Sequence, residues 1–315
     1  MSPWTVAAIP SQSGRLAIVT GLGGLGYETA LALAGAGASI VLAGRNTDRG
    51  QASLERIRAL LPQADVRFEQ LDLADLSSVR TFAQRMASQV ERIDLLVNNA
   101  GIMMLPKRRT TVDGFELQFG TNFLGHFALT AQLLPLLSRG RARVVNVSSS
   151  ADNFGRIAFD DLQAERSYSP EAAYCQSKLA NSLFTLELQR RGDECGWGVT
   201  ALTAQPGFTR TDLIANGIGK PNAILGFLWR FDSHAPAEGA LSILYPATMP
   251  DVTGGEYYGP DGFFALTGFP KRISYPRGAR DPAKAERLWN VAEEITHVRF
   301  GVAAAPVPTA MRVRS

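Results

Sequence analysis

The sequence predicts a doubly wound α/β fold on a parallel sheet of about seven strands. Three observations carry that expectation. Short apolar runs recur along the chain, amphipathic stretches of helical period lie between them, and a glycine-rich turn joins the first run to the first stretch. Near-continuous apolar content in so few residues suits strands covered on both faces, and strand–helix alternation with right-handed crossovers winds such a sheet in two directions.

Residues 15–20, 38–43, 66–71, 93–98 and 143–148 read as buried strands, residues 198–204 as a sixth, and residues 256–258 as the start of a seventh. Helical segments are expected over residues 25–34, 51–61, 76–90, 113–137, 170–191 and 236–245. An irregular arm, residues 1–13, precedes one domain of residues 14–302. An apolar insertion broken by Gly and Pro, about residues 208–235, reads as a lid. Residues 303–315, with two prolines and little periodicity, read as a disordered tail.

Composition narrows the classes. The chain has 315 residues, 45% of them hydrophobic and 19% charged, as in a soluble protein with a sizeable core. Its net charge of +3 and pI near 9.0 come from scattered Lys and Arg, so no nucleic-acid partner is expected. Cys175 and Cys195 are the only cysteines, and His126, His234 and His297 are far apart, so neither a disulfide framework nor a metal site is expected. No basic leader and no run of ~18 apolar residues is present, which predicts a cytoplasmic protein without a membrane span.

Two ends of a site can be read. Thr20-Gly21-Leu22-Gly23-Gly24-Leu25-Gly26 follows the first strand, and Gly21, Gly23 and Gly26 have the spacing of a dinucleotide turn. Glycines there allow a tight turn and close backbone approach, with a pyrophosphate at the helix N-terminus. After the second strand, Gly44 and Arg45 stand where an acid would hold a ribose 2′-hydroxyl; an Arg there accommodates a 2′-phosphate, which favours NADP(H) over NAD(H). Asp72 after the third strand suits either an adenine amino group or a turn cap. Asn98-Asn99-Ala100-Gly101 ends the fourth strand at the same edge, where ligands of such sheets bind.

The chemistry end is Tyr174-Cys175-Gln176-Ser177-Lys178. On a helix, Tyr174 and Lys178 share one face, and a neighbouring ammonium favours the phenolate of a phenol that otherwise titrates near pH ~10. Such a pair can pass a proton to a carbonyl oxygen or take one from an alcohol. Cys175 has no base near it in sequence and reads as a helix residue.

With these pieces in order, the chain resembles the short-chain dehydrogenase/reductase superfamily over residues 14–296. The motifs are the glycine turn, Asn98-Asn99-Ala100-Gly101, Asn122 in Thr121-Asn122-Phe123-Leu124-Gly125-His126-Phe127, Val147-Ser148-Ser149, Tyr174 with Lys178, and Gln205-Pro206-Gly207. Phe159-Asp160-Asp161-Leu162, the run Tyr174 to Asn181 and Ala285-Glu286-Arg287-Leu288-Trp289 are similar to the retinol dehydrogenase-like branch.

The resemblance implies a Rossmann fold and a tetrad of Asn122, Ser149, Tyr174 and Lys178. Tyr174 is then the general acid/base, Lys178 lowers its pKa and holds the nicotinamide ribose, and Ser149 (rather than Ser148 or Ser150) donates to the substrate oxygen. The main chain of Asn122 holds a water that connects to Lys178. Cofactor contacts are implied for Gly21, Gly23, Gly24, Leu25, Gly26, Arg45, Asp72, Leu73, Asn99, Ala100, Gly101, Pro206, Gly207, Thr209 and Thr211. Phe208, Leu213, Ile214, Leu225 and Phe227 would border the substrate. The expected activity is hydride transfer between NADP(H) and a bulky apolar ketone, aldehyde or secondary alcohol, in a homo-oligomer, dimer or tetramer.

One departure stands out. Only Leu22 and Gly23 separate Gly21 from Gly24, one residue fewer than is usual in the family, beside the adenosine ribose. The shorter turn is the feature that favours a nucleotide-sensing regulatory protein as the alternative.

Overall fold

The computed structural model describes residues 3–208, 235–262 and 265–301. The strands are β1 (Leu16–Thr20), β2 (Ser39–Gly44), β3 (Val66–Gln70), β4 (Leu95–Asn98), β5 (Arg143–Val147), β6 (Thr200–Ala204), β7 (Tyr257–Pro260) and β8 (Pro270–Ile273). The sheet order is β3-β2-β1-β4-β5-β6-β7-β8. All neighbours pair in parallel except β7 and β8, which are antiparallel. The eighth strand extends the expected seven. It carries Pro270, Lys271 and Arg272 on an exposed edge and lacks the apolar run that marks the other strands.

Helices α1 (Gly24–Gly35), α2 (Thr47–Leu60), α3 (Leu76–Gln89), α4 (Leu117–Phe119), α5 (Gly125–Gly140), α6 (Pro170–Cys195), α7 (Pro236–Thr248) and α8 (Pro282–Thr296) cover both faces. Along β1 and β4 the side chains alternate as a strand requires: Ile18 and Leu96 pack with α3, α5, α6 and α8, whereas Ala17, Val19, Leu95 and Val97 pack with α1, α2 and α7. Local chemistry sets the helix starts. Asp75 accepts from the backbone N–H of Ser77 and Ser78 to open α3, and Ser169 accepts from Ala172 ahead of Pro170 to open α6.

Two differences from the sequence reading concern helices. Residues 113–137 do not form one helix: α4 passes through a π-helical turn, Gly120–Leu124, into α5. The apolar period continues through that wider turn, which hides it from pattern reading. α8 was not read as a helix, although Asp281 caps it and Pro282 starts it. Its Trp289, fully buried, packs tilted on the Phe300 ring at 4.2 Å and edge-on to Phe127 at 5.1 Å. The arm is also less irregular than expected. Trp4 packs edge-on against Tyr245 of α7 and donates to the Met249 sulfur.

Candidate active site

The loops at the carboxyl ends of β1 to β6 build the site, where the strand order reverses between β1 and β4. After β1, Gly21 and Gly24 take positive φ (99° and 50°), which only glycine adopts at low cost. A Cβ on Gly26 would strike the Gly21 carbonyl oxygen, so the turn closes tightly onto the start of α1. Ser53 of α2 donates to the Leu22 carbonyl at 2.6 Å. The Leu22 side chain lies against Gly44; a Cβ there would sit 2.5 Å from its Cγ.

A cavity of about 380 Å³ opens at this edge. Gly21, Gly23, Arg45, Asp72, Leu73, Ala100 and Gly101 line it, with Arg49 and Arg109 adding positive charge. Oδ1 of Asp72 accepts from the Ala74 N–H at 2.9 Å, so this oxygen caps its own turn. Thr121 also lines the cavity, and its buried hydroxyl has no hydrogen-bond partner among the described residues. Glycine backbone, three guanidinium groups and an orphan hydroxyl form a donor set that fits a dinucleotide. A second cavity of about 110 Å³ shares Gly101 with it and is lined by Leu25, Asn99, Met103, Ser149, Tyr174, Lys178, Pro206, Gly207 and Phe208.

The candidate chemistry sits in this second cavity. Tyr174 and Lys178 lie one turn apart on α6, both buried. Ser149 caps the 3-10 turn Ser150–Phe154, accepting from the Ala151 N–H, and lines the cavity together with Tyr174. Lys178 Nζ donates to the Val147 carbonyl at 3.0 Å and lies 5.7 Å from the centre of the Tyr174 ring. The expected depression of the phenol is not what this arrangement produces. Burial pushes Tyr174 up to about 12, against the opposing pull of the Ser149 side chain. Burial also brings Lys178 down to about 8. Removing the phenolate from water outweighs an ammonium that is itself desolvated and held by a carbonyl.

Asn122 stands in the π-helical turn. Its Oδ1 accepts from Ile102 N–H at 2.8 Å, and its Nδ2 donates to Ile102 O at 2.9 Å and Ser177 Oγ at 3.0 Å. The side chain thus clamps the loop after β4. Its carbonyl meets Nδ1 of His126 at 2.9 Å, and His126 Nε2 meets Thr20 Oγ1 at 2.9 Å. A carbonyl only accepts, so Nδ1 carries the proton and the Thr20 hydroxyl donates to Nε2. The Thr20 oxygen in turn accepts from Asn99 N–H and Ala100 N–H, each at 2.9 Å. Burial lowers His126 to about 4, which keeps the ring neutral.

The profile of the short chain dehydrogenase family matches residues 15–218. The chain is a short-chain dehydrogenase. Human retinol dehydrogenase 12 is 39% identical over 294 residues, covering 91% of this chain and 88% of the relative. Mouse polyprenol dehydrogenase is 41% identical over 290 residues, covering 89% and 83%. A solved protein of Mycobacterium paratuberculosis superposes with a TM-score of 0.79 at 40% identity, covering 95% of this chain and all of that one. The RhlG/NADP active-site complex of Pseudomonas aeruginosa gives a TM-score of 0.64 at 26% identity, over 84% of this chain and 100% of that one. Within the family the chain falls in the retinol dehydrogenase-like branch.

In this short-chain dehydrogenase Ser149, Tyr174 and Lys178 share one cavity, and Asn122 holds the loop after β4 beside it; of the expected cofactor residues up to Gly207, Gly24 and Gly26 line neither cavity, and the others line one or the other. Thr209, Thr211, Leu213, Ile214, Leu225 and Phe227, with nearly all of the expected lid, lie outside the described residues. Among the described residues no group of His, Cys, Asp or Glu could hold a metal ion, and no helix is long and apolar enough to cross a membrane. Sequence reasoning missed Thr20, His126 and the buried Asp152. The spacing of Asn122 and His126, one helical turn, was the available signal for the first network.

Proposed function

We propose that the protein is an NADP(H)-dependent oxidoreductase interconverting a bulky apolar ketone or aldehyde with its alcohol. The observation that carries this reading is that Ser149, Tyr174 and Lys178 line one cavity, bordered by Leu25, Met103 and Phe208. The cofactor, when bound, supplies or accepts the hydride. Gly21, Gly23, Ala100 and Gly101 would hold its nucleotide half, Pro206 and Gly207 would border its nicotinamide, and Arg45 would meet a 2′-phosphate.

In reduction, Ser149 donates a hydrogen bond to the substrate oxygen and helps hold the negative charge that develops there. Tyr174 then delivers its proton to that oxygen. A phenol pushed up to about 12 is fully protonated at neutral pH, the form that carbonyl reduction needs. The phenolate left behind is stabilised by the Lys178 ammonium on the same helix face. The names of the polyprenol and retinol relatives support an apolar alcohol or carbonyl compound as the substrate class. Two free cysteines, one of them exposed, suit a cytoplasmic setting.

The test is turnover of the purified protein with NADPH against a panel of aryl and terpenoid ketones, and with NADP⁺ against the matching alcohols. Reduction of apolar ketones is the expected result. Weakened NADPH binding with no turnover of any compound would favour a nucleotide-sensing protein instead.

A further inference from the structure

Asp152 is a carboxylate buried at 1% exposure, three residues after Ser149 in the same 3-10 turn. Its Oδ2 accepts from Tyr257 Oη of β7 at 2.8 Å and from Ser182 Oγ of α6 at 2.8 Å. Ser148 Oγ lies 3.0 Å from the same oxygen and 3.0 Å from the Lys178 carbonyl, so its single proton serves one of them at a time. Asn153 Nδ2 donates to Oδ1 at 3.2 Å, and the Asp152 N–H donates to the Ser149 carbonyl at 2.9 Å. No arginine or lysine forms an ion pair with this carboxylate among the described contacts. The buried cation whose field it shares is Lys178.

We propose that Asp152 is a positioning residue of this site: its buried negative charge keeps Lys178 an ammonium, and its hydroxyl contacts fix the turn that presents Ser149. The assignment rests on the reading of the site as a carbonyl/alcohol redox centre. An amide at 152 could accept from the same hydroxyls without the cost of burying a charge, so the charge itself has a consequence, and Lys178 is where it falls. Burial alone draws Lys178 toward the neutral amine; Asp152 opposes that. Burial raises Asp152 to about 6, opposed by Ser182, Tyr257, Ser148 and Lys178. Between about pH 6 and 8 both groups are therefore charged, and the two steps belong to the pair.

The other titratable groups around it are accounted for. Tyr174 and Cys175 on α6, Tyr257 on β7 and Tyr275 beyond β8 all feel the carboxylate, and all four are raised, hence neutral in this range. His126, which feels Lys178, is neutral above about pH 4. Arg277, on the 3-10 turn packed against this one, is exposed, and Arg280 Nε is bonded to the Tyr275 carbonyl.

Lys178 is one of five lysines, so its titration can be followed by NMR of 13Cε-labelled lysine in the whole protein, with Lys178→Arg identifying the signal. Asp152→Asn should lower the Lys178 midpoint by at least half a pH unit, and the alkaline limb of ketone reduction should move down with it while the acid limb disappears. Tyr257→Phe, which keeps the carboxylate and removes one donor, should move the acid limb up and leave the alkaline limb in place. An unchanged Lys178 midpoint in Asp152→Asn, or a uniform loss of turnover with both limbs intact, overturns the proposal. If Asp152→Asn does not fold, an unmoved acid limb in Tyr257→Phe overturns it equally. A wild type without turnover would refute the redox reading, while the NMR midpoint still decides the role of Asp152.

Discussion

The hydroxyl of Thr20, at the end of the first strand, donates to Nε2 of His126 across 2.9 Å, joining the nucleotide turn to the turn that holds Asn122. The two residues are 106 positions apart, and neither is exposed. Because the ring is neutral and fully bonded, protonating it breaks the acceptor end of the network.

That gives a prediction for stability against pH. His126 is depressed from 6.5 to about 4, so its contribution is complete above pH 6.5 and is lost as the pH falls through about 4. Asp152 has the opposite sign: raised from 3.8 to about 6, its contribution is complete below 3.8 and is lost as the pH rises through about 6. In urea unfolding between pH 6.5 and 4, His126→Gln should remove the acid-side loss and leave the Asp152 gain. Relative to wild type, the variant should then lose less stability as the pH falls. Identical slopes for wild type and variant would contradict the network.

Tyr174→Phe keeps the buried ring and removes only the proton donor. Turnover should drop by ~10²–10⁴-fold while NADPH affinity and the urea midpoint hold nearly constant. Stopped-flow single turnovers beside calorimetry separate the two, and substantial remaining activity would exclude Tyr174 as the acid.

Arg45 lines the nucleotide cavity beside Gly44. Arg45→Ala should weaken NADPH far more than NADH, because only NADPH carries the 2′-phosphate dianion that a guanidinium fork grips. Equal losses for the two cofactors, titrated by fluorescence, would place Arg45 outside the site.

Met103 and Phe208 border the cavity that holds Ser149 and Tyr174. In a homologous ketone series, kcat/KM should rise with apolar size by up to about fourfold per methylene, following ~0.8 kcal/mol for each buried CH₂, until the pocket is full. A flat series, or preference for small polar carbonyls, would count against an apolar pocket.

The strands β1 to β6, the glycine turn and the Tyr174/Lys178 pair were legible because each depends on local pattern: apolar runs, small residues at fixed spacing, one helical turn. The π-helical turn at Asn122 was not, since its apolar spacing resembles that of a continuous helix. Asp152 was hidden for a different reason. Its partners Ser182 and Tyr257 lie 30 and 105 residues away, and a lone Asp after three serines resembles an ordinary turn. The direction of the Tyr174 shift also escaped, because spacing reveals a neighbouring charge but not how completely both groups leave water.

The packing of Leu22 on Gly44 bears on how cofactor choice could change over generations. An acid at 44, the simplest route to NAD(H), would have its Cβ inside the space Leu22 fills. Gly44→Asp on the present background must displace the Leu22 side chain. The two positions are therefore coupled: a side chain at 44 requires that of Leu22 to move aside or shrink. Any change of charge at position 44 therefore runs through Leu22 as well.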